Sequence, residues 1–127
     1  MNDPRFPELP QSHINILKEY GKMESYTEDT VIFELAELKY DFFVVLEGEI
    51  AVLDPNNDKK IIVVHGKSEF SGDSGMLSDR GAQFRAVAKA GSKLLRITPT
   101  KLKEAIAKYS NLSDLLLNAF YSVKILF

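Results

Sequence analysis

The sequence contains no cysteine, and this absence excludes several kinds of chemistry. Without a thiol, the chain cannot form a disulfide, a thiolate metal site or a Cys-based redox centre. Its two histidines, His13 and His65, are far apart in sequence, whereas a metal-dependent oxygenase needs a cluster of imidazole and carboxylate ligands. There is also no Gly-x-Gly-x-x-Gly motif for a flavin or nicotinamide cofactor. We therefore expect no catalytic site, metal or cofactor in this chain.

The sequence also lacks a large excess of charge of one sign and any long apolar run. Sixteen basic and 18 acidic residues leave a net charge of -2, which argues against nucleic-acid or membrane-surface binding driven by long-range attraction. No apolar run approaches the ~20 residues of a membrane helix. The polar residues 1–10 contain no signal core. These features predict a cytoplasmic protein with neither DNA nor a membrane as its partner.

The 127 residues are expected to form one domain with three parts. A short helix is predicted within residues 8–21, with Pro10 in its first turn and Gly21 as a left-handed stop. Residues 24–98 alternate short β-branched and aromatic runs with turn signals, which favours a sandwich, jelly roll or barrel. The predicted strands include 31–33, 42–46, 50–53, 61–64, 84–88 and 94–97.

Residues 99–127 change to a helical period and predict two helices. Thr98 is the expected N-cap and Pro99 the first helical residue of the first of them. The second is predicted to begin after Asn111 and to carry an apolar stripe that continues to Phe127. Such a stripe predicts a packing partner, and a homodimer formed through this helix is one candidate.

A glycine-acid turn between two predicted strands, residues 70–78, carries the clearest functional signal. Gly72 can let the backbone approach a ligand closely, and a helical turn from Ser74 would aim N–H groups at an anion. Asp73 could accept hydrogen bonds from sugar hydroxyls, while Arg80 and Arg85 could neutralise a phosphate. The same residues also suit ordinary turn chemistry, in which Asp73 caps its own backbone and both arginines are solvated.

The order of these elements resembles that of cyclic-nucleotide-binding domains, a β-barrel or jelly roll with one N-terminal and two C-terminal helices. Residues 43–52, Phe-Val-Val-Leu-Glu-Gly-Glu-Ile-Ala-Val, are similar to the early hairpin of that family. Residues 70–77 resemble its phosphate-binding cassette, Phe-Gly-Glu-x-Ala-Leu-Leu. The resemblance covers nearly the whole chain and implies a regulatory domain whose ligand is cAMP, cGMP or a related phosphate compound.

The resemblance also assigns roles to individual residues of the segment. It implies that the backbone of Gly72 approaches the ligand and that Asp73 binds the ribose 2′-hydroxyl. Gly75 and Met76 would offer N–H groups to the phosphate, and Leu77 would pack the segment into the barrel. The candidate ligand-binding residues are Gly72, Asp73, Ser74, Gly75, Met76, Leu77, Arg80, Gln83 and Arg85.

One position departs from the family pattern, because Ala82 stands where the family has an arginine that pairs with the cyclic phosphate. Losing that contact would weaken binding by roughly one to two orders of magnitude, the equivalent of about 1.5–3 kcal/mol. A narrower resemblance, to the N-terminal domain of bacterial thioredoxin-reductase-like flavoproteins, implies a fused or separate reductase partner. The alternative function is a nucleotide-free domain that mediates protein interaction or dimerisation.

Overall fold

A computed structural model of the chain describes residues 8–72 and 81–115. This part forms eight strands with helices before and after them, as the sequence predicted. The elements are α1 (Gln11–Leu17), β1 (Lys22–Ser25), β2 (Thr30–Phe33), β3 (Phe42–Glu47), β4 (Ile50–Asp54), β5 (Asn57–His65), β6 (Phe70–Ser71), β7 (Arg85–Ala88), β8 (Lys93–Ile97) and α2 (Pro99–Lys108). Residues 110–115 are again helical and are called α3.

The strands form two antiparallel four-stranded sheets. The first sheet has the order β1-β8-β3-β6 and the second the order β2-β7-β4-β5. The jelly-roll prediction is confirmed, but a closed barrel is wrong, because no strand in the described ranges hydrogen-bonds from one sheet to the other. Each sheet instead keeps two edge strands, and the space between the sheets is filled by side chains.

Strand β3 shows how the layers are arranged, because its successive side chains alternate between two cores. Phe42 and Val44 contribute to a core that includes residues of all three helices. Phe43 and Val45 point the other way, into a core between the two sheets. All four side chains are essentially inaccessible to solvent. We call the side of the first sheet that bears Phe43 its inner face.

Helix α2 begins where the sequence predicted. Thr98 is its N-cap, with its side-chain oxygen accepting from the backbone N–H of Lys101 at 3.3 Å, and Pro99 opens the helix. Leu102 and Ala105 are fully buried, and Leu112 in α3 joins them in the same core. The predicted stripe beyond residue 115 lies outside the described residues. These helices therefore cover the face of the first sheet opposite to its inner face.

The N-terminal helix differs from its prediction at both ends. Pro10 precedes the helix as its N-cap, and the helix is only seven residues long. Gly21 does not have the expected left-handed backbone. It is needed for a different reason, since a Cβ there would lie 2.5 Å from the carbonyl oxygen of Arg96 and 2.6 Å from Ile97 Cγ1. The glycine thus lets the chain leave α1 directly against β8.

Candidate functional site

Gly72 follows β6 and is the one residue of the predicted 72–77 segment that the structure describes. It is buried and has φ +94°, a backbone conformation that L side chains rarely adopt. A Cβ at this position would collide with the carbonyl oxygen of Asp41 and lie 3.1 Å from Phe42 Cα. The start of the segment is therefore fixed tightly against the beginning of β3. Asp73, Ser74, Gly75, Met76, Leu77 and Arg80 lie outside the described residues.

Gly81 and Ala82 pack closely against the loop that follows β2. A Cβ on Gly81 would lie 2.8 Å from Ala36 Cα. Ala82 exchanges backbone hydrogen bonds with this loop, accepting from Ala36 N at 2.7 Å and donating to Glu37 O at 2.9 Å. Its side chain is 3% exposed and belongs to the core between the sheets. The position that the resemblance assigns to an arginine is thus apolar and buried.

Gln83 lies in an open cleft at the end of the β4–β5 hairpin. The cleft is lined by Asp54, Pro55, Ile62, Gln83 and Phe84. Gln83 itself is exposed. Its amide offers both a hydrogen-bond donor and an acceptor.

Arg85 lies on the outer side of the second sheet. In β7 the side chains of Ala86 and Ala88 enter the core between the sheets, so Arg85 points to the opposite face. Its Nε donates to Glu34 Oε1 at 2.7 Å, and both side chains are partly exposed. The register of β7 therefore separates Arg85 from the inner core.

An ionic cluster on the inner face of the first sheet was not predicted from the sequence. Arg96 Nε donates to Asp41 Oδ2 at 2.6 Å, and Arg96 Nη1 lies 3.5 Å from Glu24 Oε2. The hydroxyl of Tyr26 donates to the same Glu24 oxygen at 2.8 Å. The hydrogen bond with Asp41 raises the pKa of Arg96, and burial together with Glu24 raises the pKa of Tyr26. Tyr26 therefore stays protonated and Arg96 charged at neutral pH.

No local sequence signal distinguishes the residues of this ionic cluster from ordinary surface residues. Arg96 stands in a Leu-Leu-Arg-Ile strand, and its face becomes known only when β8 is paired with β3, where Arg96 is opposite Phe43. The guanidinium carbon lies 5.5 Å from the centre of the Phe43 ring. Strand periodicity predicts that Arg96 lies on the other face of β8 from Leu95 and Ile97. It does not predict the contact with Asp41, which is 55 residues away in sequence.

His65 ends β5 and is buried, with only 6% of its surface exposed, where a surface or half-buried position was expected. Its Nδ1 lies 3.2 Å from Glu69 Oε1 across the turn that follows. Among residues 8–72 and 81–115, no group of three or more acidic or histidine side chains could hold a metal ion. Within the same ranges, none of the helices has the length and apolarity to cross a membrane.

Comparison with protein families gives a match. The family model described as "Cyclic nucleotide-binding domain" matches residues 23–109, which include both sheets apart from Lys22, the 72–77 segment and α2. A search of the curated proteins gives no match.

Solved structures with the same fold come from several kinds of protein. One, from work on a cyclic-GMP-dependent signalling pathway that regulates bacterial phytopathogenesis, is 18% identical, has a TM-score of 0.78 and covers 94% of this chain and 95% of its own. The Thermus thermophilus catabolite activator protein is 17% identical with a TM-score of 0.70, covering 97% of this chain and 57% of that one. A cAMP-bound PfPKA-R (141-441) is 20% identical with a TM-score of 0.66, covering 91% and 44% respectively. This chain thus spans about half the length of the latter two.

Proposed function

Because the chain belongs to the cyclic nucleotide-binding domain family, we propose that it is a sensor domain whose ligand is cAMP, cGMP or a related cyclic phosphate. The observation that carries the proposal is the backbone of Gly72. It is buried at φ +94° against the start of β3, and this holds the beginning of the 72–77 segment in one place. We infer that N–H groups which follow this fixed point bind the phosphate, since donors that are already positioned need little reordering on binding.

The proposed contacts extend from Gly72 through the segment. Asp73 binds the ribose 2′-hydroxyl, Gly75 and Met76 donate N–H groups to the phosphate, and Leu77 anchors the segment in the core. Ser74 adds a hydroxyl, and Arg80 adds a positive charge near the phosphate. Gln83 faces the ligand from the cleft at the β4–β5 hairpin. Arg85 is left out because it pairs with Glu34 on the outer side of the second sheet.

The signal is proposed to reach the C-terminal helices through the first sheet. One face of this sheet packs on α2 and α3 through residues such as Leu102 and Leu112, and the proposed site begins at Gly72, directly after β6 of the same sheet. A ligand that fits one arrangement of these layers better than another shifts their populations. One structural relative comes from work on a cyclic-GMP-dependent signalling pathway and another is bound to cAMP, which supports a regulatory role.

A second function is favoured by Ala82. This buried, apolar residue supplies no charge where the resemblance implies an arginine, so a nucleotide-free domain for protein interaction or dimerisation is the alternative. A thioredoxin-reductase-like partner, fused or separate, stays a prediction from the narrower resemblance. Both would place the chain in a larger assembly, with the apolar C-terminal residues as the contact.

Calorimetric titration with cAMP and cGMP tests the proposal. We expect micromolar binding of one of them, and a loss of at least about tenfold in Asp73→Asn, because an amide accepts a hydrogen bond less well than a carboxylate. Asp114→Asn is the matched control, since Asp114 is exposed in α3. An absence of heat and of any thermal shift at millimolar nucleotide would reject the sensor and favour the nucleotide-free alternative.

A further inference from the structure

The outer face of the second sheet carries a row of aliphatic side chains that crosses all four strands. Val87 points away from the core between the sheets, because the residue before it, Ala86, enters that core. Val31 in β2 and Ala51 in β4 are both paired with Val87, and Val64 in β5 is paired with Ala51. Directly paired residues share a face of a sheet. We call Val31, Val87, Ala51 and Val64 the aliphatic row.

Much of this face is open to solvent. Val31 and Val64, on the two edge strands, are 46% and 45% exposed. Ile61 is 48% exposed and lies on the same face, because it is paired with Leu53, which is itself paired with Arg85 of the outer side. Val31, Ile61 and Val64 are three of the six large apolar side chains that are exposed in the described part of the chain. Single exposed apolar residues are ordinary, whereas a contiguous apolar row indicates an interaction surface.

The sequences of β4 and β5 also indicate a sheet that is covered on both faces. β4 contains Ile-Ala-Val-Leu at residues 50–53 and β5 contains Ile-Ile-Val-Val at residues 61–64, with no polar residue in either run. A strand with one solvated face alternates apolar and polar residues, whereas a strand buried on both faces is apolar throughout. The buried residues of the described helices belong to the core beyond the first sheet, so these helices do not cover the outer face of the second.

The shape of the row fits a second copy of itself. A twofold axis parallel to the strands, between β7 and β4, places β7 of one copy over β4 of the other and β2 over β5. Val87 then lies over the small Ala51 of the other copy, and Val31 lies over Val64. Large side chains that face small ones let two sheets interdigitate at their usual separation of about 10 Å.

Charge favours this orientation over the other twofold arrangement. Lys89 and Glu49 lie at the same level of the sheet, because the backbone N–H of Lys89 donates to Glu49 O at 3.1 Å. The axis parallel to the strands brings Lys89 of each copy toward the exposed Glu49 of the other. The ammonium of Lys89 contacts Asp29 at 2.7 Å and has further donors for a second carboxylate. An axis across the strands would instead bring Lys89 toward Arg85, and like charges oppose association.

We propose that the chain forms a homodimer in which the outer faces of the two second sheets stack on each other. The proposal is independent of nucleotide sensing, since none of the residues proposed to bind the ligand belongs to the aliphatic row. Four strands of four to five residues offer a flat area of only about 300 Å², and a standard interface buries about 800 Å² per partner. We therefore expect a weak dimer, with a Kd of roughly 10–100 μM.

Sedimentation equilibrium of the whole chain without nucleotide, from micromolar to millimolar concentration, tests the proposal. Val31→Glu and Val64→Lys each place a charge against an apolar side chain of the other copy, so each should weaken association at least about tenfold. The double variant places Glu against Lys of the other copy and should recover much of the association. Met23→Lys is the control, because Met23 is an exposed apolar residue of the first sheet, and it should associate like the wild type.

Three results would overturn the inference. One is a wild-type chain that stays monomeric at millimolar concentration, and another is a dimer that both single variants leave intact. The third is a dimer that Val123→Glu dissociates while Val64→Lys does not, which would place the contact at the predicted C-terminal stripe. Thermal melts followed by circular dichroism establish that each variant folds. Because no nucleotide is present in these samples, failure of the sensor function would not alter the result.

Discussion

Single residues decide where the candidate site begins, and Gly72 is the clearest of them. The sequence indicated a glycine that lets the backbone come close to a ligand. The structure adds that the same glycine has a left-handed backbone and packs against Asp41 and Phe42. Neither property follows from the local sequence, because the neighbour of Gly72 is a strand that begins 30 residues earlier. A turn motif can identify such a glycine but cannot tell what lies next to it.

Gly72→Ala should therefore destabilise the fold more than an alanine at an unobstructed left-handed glycine. Gly91 is the matched control, with φ +84° and no atom within 4 Å of the position that a Cβ would take. Gly91→Ala should cost only the left-handed strain, about 1–2 kcal/mol. Gly72→Ala should lower the free energy of unfolding further, since its Cβ meets backbone atoms, which cannot move aside as a side chain can. Urea unfolding measures both; equal losses would mean that Asp41 and Phe42 yield easily.

At the scale of elements, the helix–strand–helix order was predictable because each element has a local signal. The Thr-Pro pair marks the start of α2, and Gly48, with φ +82°, makes the turn between β3 and β4. Boundaries were less predictable: β5 extends over Asn57–His65 although only residues 61–64 are apolar enough to be recognised. Hydrogen bonds to β4 complete the strand, and such pairing is a tertiary property.

Thr98→Ala should remove the N-cap of α2 that the sequence identified and lower the stability of the domain. The Thr98 oxygen accepts from Lys101 N at 3.3 Å, a long hydrogen bond, so we expect a loss in the lower half of the usual range, about 0.5–1 kcal/mol. Thr100→Ala is the control, because Thr100 is exposed in the first turn and alanine has the higher helix propensity. Thermal unfolding should show a lower midpoint for Thr98→Ala only. If both variants melt like the wild type, the cap contributes nothing to stability.

At the scale of the whole molecule, the two cores share the first sheet, and this arrangement could not be read from the sequence. Periodicity identified apolar strands but could not assign alternate residues of β3 to different layers. Phe43 faces the second sheet and Phe42 the helices. The same missing information hid Arg96, whose face depends on the pairing of β8 with β3. The shared sheet has α2 on one face and the core between the two sheets on the other.

This layering makes the proposed signal measurable, and the absence of cysteine makes the measurement direct. Asn15 in α1 and Lys103 in α2 are both exposed and can be replaced by cysteine. Spin labels on the two cysteines report the distance between the helices. If the ligand shifts the helical layer, double electron–electron resonance should show that the distance between the two labels changes by about 1–2 Å or more when the nucleotide is added. A pair at Glu28 and Asn56, exposed residues flanking strands of the second sheet, should change less. Equal changes in both pairs would mean a general tightening of the domain, and no change in either would mean that binding is not transmitted through the first sheet.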